Sequence, residues 1–72
     1  MPRVTGHEAI KAFSRLGFSV VRISSSHHVM KKAGHRYALS VPVHGSRPVA
    51  TGTLRSLIQD AGLTIEEFTA LL

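Results

Sequence analysis

The sequence predicts an α+β domain whose elements run α-β-β-β-α and end in a short third helix. Three observations carry this reading. Capping boxes at Thr5–Glu8 and Thr64–Glu67 open helical patterns near the two ends of the chain. Between them, segments rich in Val, Ile and Phe alternate with Ser and Gly turns. Leu54, Leu57, Ile58 and Ala61 then repeat at i, i+3, i+4, i+7.

In the first capping box the Thr5 hydroxyl takes a backbone N–H of the first helical turn, and Glu8 reaches back to the N–H of Thr5. Ala9, Phe13 and Leu16 follow at helical spacing, and Gly17 suits the left-handed residue that ends a helix. A first helix is expected from about Gly6 to Leu16. Phe18 to Ile23 reads as a strand, Ser24-Ser25-Ser26 as a turn and His28 to Lys32 as a second strand. Ala33-Gly34 is a hairpin signal. Arg36 to Val41 then reads as the third strand, with Tyr37, Leu39 and Val41 on one face and Ala38 and Ser40 on the other. Pro42 through Pro48 is a loop. The second helix spans about Thr51 to Ala61, and Gly62 stops it. Ile65, Phe68 and Leu72 give the last helix its apolar face. Such a meander has one face covered by helices and one left open, and the open face is where function is expected.

Seventy-two residues make one domain, read as 1–72, with a small core. Cysteine is absent, which rules out disulfides and thiolate metal ligands. The apolar runs are too short to span a membrane. Met1-Pro2-Arg3-Val4 lacks the apolar stretch of a signal peptide, so a cytoplasmic protein is expected. The net charge is +5 and its placement is uneven. No acid occurs between Ala9 and Gln59, where Lys11, Arg15, Arg22, Lys31, Lys32, Arg36, Arg47 and Arg55 all fall. A basic body with an acidic end points to a polyanionic partner, nucleic acid first.

Five histidines stand out: His7, His27, His28, His35 and His44. His7, in the first turn of a helix, and His35, beside a hairpin turn, read as solvated. His27 differs in context. Small serines precede it, where they let a phosphate backbone approach and offer donors, Ser26 among them. Lys31, Lys32 and Arg36 follow on the same hairpin as candidate phosphate contacts. By strand parity Lys31 shares the side of His27, and Lys32 that of His28. An imidazole exchanges protons near neutral pH. RNA cleavage asks for little more, because the 2′-hydroxyl is a built-in nucleophile. His44, at the exit of the third strand, is the candidate for a second proton-transfer group or an RNA contact. A histidine metal site is disfavoured because no acid or cysteine lies nearby and His27 and His28 point to opposite faces.

At this point the residues carry a family likeness. Leu16-Gly17-Phe18 closes the first helix, and Ser25-Ser26-His27 stands where the family has Gly-Ser-His. Val41-Pro42-Val43-His44 and the stretch Gly52-Thr53-Leu54 through Ala61-Gly62-Leu63 follow in order. The chain resembles the HicA toxins, small YcfA-like mRNA interferases of toxin–antitoxin pairs. The resemblance implies a double-stranded-RNA-binding-domain-like fold with a three-stranded antiparallel sheet. It also implies mRNA cleavage with His27 catalytic, and neutralisation by a HicB-like antitoxin over the open sheet face. No metal, small-molecule cofactor or membrane is implied. The motif glycine, which permits a positive φ or close phosphate approach, is Ser25 here. A second reading stays open: a non-catalytic RNA-binding module, which reads shape and phosphates without chemistry.

Overall fold

The computed structural model describes residues 3–72. Helix α1 (Gly6–Arg15) leads into strands β1 (Ser19–Ser24), β2 (His27–Lys31) and β3 (Leu39–Pro42), followed by α2 (Thr51–Asp60) and α3 (Ile65–Ala70). The strands form one antiparallel sheet in the order β1-β2-β3. The α-β-β-β-α arrangement with a short C-terminal helix is therefore the one the sequence predicts.

Both capping boxes form. The Thr5 N–H donates to Glu8 Oε1 at 2.9 Å, and the Glu8 N–H donates to Thr5 Oγ1 at 3.2 Å. The backbone bond from Thr5 is the main reason the Glu8 carboxyl is held below its ordinary pKa. Thr64 and Glu67 repeat the arrangement at α3. These reciprocal bonds satisfy N–H groups that a helix start leaves without partners.

The core lies between the helices and one face of the sheet. Phe13, Phe68, Met30, Leu39, Leu54, Val4 and Val41 are its largest fully buried side chains. Met30 pairs with Leu39, and His28 with Val41, so these four residues share the face the helices cover. The helices pack over β3, and every residue of β1 is exposed. Val21 and Ile23 are 55% and 61% exposed although Val and Ile are residue types most often buried.

Several boundaries differ from the sequence reading, the starts of β2 and β3 among them. The second strand begins at His27, not His28, because Ser24 and His27 close a two-residue turn through Ser25-Ser26. The third strand begins at Leu39, not Arg36, so Arg36 to Ala38 belong to the preceding loop and Tyr37 is half exposed. The cause is His35. Its Nε2 lies 2.6 Å from the carbonyl of Asp60, and since a carbonyl can only accept, Nε2 carries the proton. The ring also meets Phe18 edge-on at 5.0 Å. Expected to be solvated, His35 is instead a half-buried tether at the C-terminal end of α2, and it draws the loop away from the sheet.

The β1–β2 turn shows why the position of Ser25 suits glycine. Ser25 has φ +56°, the only positive φ of a non-glycine among the described residues. A positive φ at the first central residue alone is the type II′ pattern, which favours glycine there. Serine pays a steric cost for its Cβ, of order 1 kcal/mol. Ser25→Gly is expected to raise unfolding stability by about 1 kcal/mol. An unchanged or lowered denaturation midpoint would show that the serine is not strained.

Candidate nucleic-acid interface

Alternation along β2 divides its side chains between two environments. His28 and Met30 face the helices, while His27, Val29 and Lys31 face away, joined by Ser40 of β3 and Arg22 of β1. His27 is exposed on this open face. His28 is half buried, meets the His7 ring edge-on at 6.2 Å, and has a buried Nδ1 without a hydrogen-bond partner. Two neighbouring histidines thus have opposite situations, one structural and one available.

His27 opens into a groove of about 620 Å³. Its walls include Ser40 and Pro42 of β3, His44 and Arg47 of the following loop, and Thr53 in the first turn of α2. Backbone bonds assemble it. His27 pairs with Pro42, and one step on, the Val43 N–H donates to the Ser26 carbonyl at 2.7 Å. The chain then turns at Gly45 (φ +57°), where the Arg47 N–H donates to the His44 carbonyl at 3.1 Å. That turn folds Arg47 back beside His44. The loop is anchored further on, where Thr5 bridges to Pro48 and the Val49 N–H donates to the Val4 carbonyl at 2.7 Å. Helix α2 starts at the groove rim with no side-chain cap on its first N–H groups. Those donors and the helix dipole favour an anion.

The expected site residues are distributed unevenly. His27 and His44 line the same groove. Ser26 holds the groove together through its carbonyl rather than lining it. Lys31 is exposed on the same face as His27, four residues and therefore about 13 Å along β2. Lys32 lies beyond the strand end, its Nζ 5.9 Å from the centre of the Phe18 ring, away from the groove. Arg36 stacks its guanidinium 5.9 Å from the centre of the Tyr37 ring in the β2–β3 loop, at the opposite end of the sheet from His27. Arg47 was not singled out from the sequence. It lies in a loop without periodicity, and only the His44–Arg47 turn brings it to the site.

No group of three or more His, Asp or Glu side chains with metal-ligand geometry occurs among the described residues. No helix among them is long and apolar enough to cross a membrane.

Residues 6–63 match the model of the family described as the HicA toxin of bacterial toxin–antitoxin systems. The matched segment runs from the first residue of α1 to just past α2 and contains every groove residue named above. No curated protein matches the chain.

Proposed function

The chain belongs to the HicA toxin family of toxin–antitoxin systems, and from that premise we propose that it is an endoribonuclease that cuts mRNA at the His27 groove. The observation that carries this reading is the position of His27: exposed on the open sheet face, in a groove that also holds His44, Arg47 and the uncapped start of α2. An imidazole there exchanges a proton with the reacting ribose or the leaving oxygen, while Arg47 and the helix N–H groups face the phosphate charge. Lys31 extends the basic track along the sheet for the RNA backbone. The chemistry needs a proton carrier and positive charge, which this groove supplies from the protein's own residues.

Family membership implies an antitoxin partner. We assign it as a HicB-like protein that covers the open face and His27, with acidic residues on its contacting surface to match a chain of net charge +5. The purified protein is expected to shorten a structured RNA, equally with and without a chelator, and to stop when the antitoxin encoded beside it is added. RNA that is shifted in a salt-dependent manner but keeps its length would favour the non-catalytic binding module. A complex that leaves His27 open to RNA would contradict the occlusion.

A further inference from the structure

One histidine does not complete the reaction. Transesterification moves two protons, one off the 2′-hydroxyl and one onto the 5′-oxygen, and the two oxygens lie on opposite sides of the phosphorus in an in-line displacement. We propose that His44 is the second proton-transfer residue of the His27 groove, so that the two imidazoles act on opposite sides of one phosphate. This deepens the endoribonuclease reading and rests on it.

The argument is geometric. His27 sits opposite Pro42, and the Val43-to-Ser26 bond carries the pairing one step past the end of β3. His44 therefore stands where the diagonal neighbour of His27 would fall if the ladder ran two residues beyond β3, two residues on from the direct partner Pro42. Diagonal neighbours on an antiparallel pair are about 7–8 Å apart, within reach of long side chains and on the same face. Both histidines line the groove, and both are exposed, so neither ring is consumed by the core. The groove of about 620 Å³ that both line leaves room for a phosphate. The other three histidines are elsewhere: His7 and His28 meet each other between α1 and the sheet, and His35 is bonded to Asp60. Apart from the two histidines, Arg47 is the one titratable side chain lining the groove, and a guanidinium stays charged and cannot trade protons.

The step balances. The 2′-oxygen bonds to phosphorus as its proton passes to one imidazole. The P–O5′ bond breaks as the other, protonated, imidazole gives its proton to O5′. A 2′,3′-cyclic phosphate and a free 5′-hydroxyl result, and the two histidines have exchanged protonation states.

The test uses the full chain, His27→Ala, His44→Ala and His44→Asn, on RNA and on the same RNA carrying one 5′-bridging phosphorothiolate, whose sulfur leaves without needing a proton. On ordinary RNA each His44 variant is expected to lose about 100-fold or more. The bell-shaped pH profile of the wild type is expected to lose one limb in the His44 variants. On the phosphorothiolate, one of the two alanine variants, and only one, returns to near the wild-type rate, which identifies the acid. Wild-type rates in both His44 variants would overturn the proposal while leaving His27 in place. So would an equal loss on both substrates with both pH limbs intact, which marks a positioning role. A wild type that cuts no RNA sinks the endoribonuclease reading and this proposal with it.

Discussion

Replacing His27 with alanine is expected to lower RNA cleavage by about 10²- to 10⁴-fold, the range over which a general acid or base contributes, without moving the unfolding midpoint. The two halves of this expectation come from the same observation. His27 is exposed on the open face and forms no part of the core cluster. Truncating it removes little packing, and exposed substitutions of this kind change stability by about 0.5 kcal/mol or less. His28 supplies the contrast. It is half buried, packs against His7 and sits on the helix-covered face. His28→Ala is expected to disturb packing and leave the chemistry in place in whatever fraction is folded. A growth assay separates the two readily: loss of toxicity with a normal melting curve for His27→Ala, and the reverse pattern for His28→Ala. Cleavage at the wild-type rate by a folded His27→Ala protein would end the assignment of the active site to this groove.

The parts of the fold that sequence disclosed are those governed by local rules. Thr5 with Glu8 and Thr64 with Glu67 announce two helix starts because each box closes within four residues. Leu54, Leu57 and Ile58 announce α2 because burial follows the helical period. The start of β3 was hidden because its limit is set from a distance. Tyr37 has the residue type and parity of a strand, yet the bond from His35 to Asp60, 25 residues away, takes the chain off the sheet before Leu39. The exposure of β1 was hidden for a related reason: Val20, Val21 and Ile23 have core residue types, but the helices pack over β3 and leave them exposed. The candidate site divides in the same way. Strand parity alone separates His27 from His28 and places Lys31 with the former. Arg47 joins His44 only through a turn in a loop rich in Pro and Gly, where no period reports which way a side chain faces. Ser25 was legible as a departure from a motif, but the reason glycine suits the position, a positive φ in a two-residue turn, needed the backbone.

Adding a single methyl group at Gly6 is expected to destabilise the fold despite improving its helix propensity. Gly6 is the first residue of α1 and is buried. A Cβ there would lie 2.3 Å from the Pro42 carbonyl oxygen and 2.9 Å from Val43 Cα, distances no real contact tolerates against backbone. Alanine is the better helix former by up to about 1 kcal/mol, so the sign is decided by space. Relieving the clash means lifting the start of α1 from the end of β3, and overpacking of this kind costs about 1–3 kcal/mol. A domain of this size has about 4–11 kcal/mol in total, at the usual stability per residue. Pro42 is the partner of His27, and Val43 holds Ser26 and leads into His44. The strain therefore enters the groove itself, and Gly6→Ala is expected to reduce cleavage in the folded fraction as well as the denaturation midpoint. Gly52 provides the control. It lies in the first turn of α2 with nothing within 4 Å of a Cβ built on it, so Gly52→Ala is expected to hold or raise the midpoint. If Gly6→Ala also held its midpoint, the close seating of α1 against the end of β3 would not be what fixes the strand that carries Pro42 and the loop that carries His44.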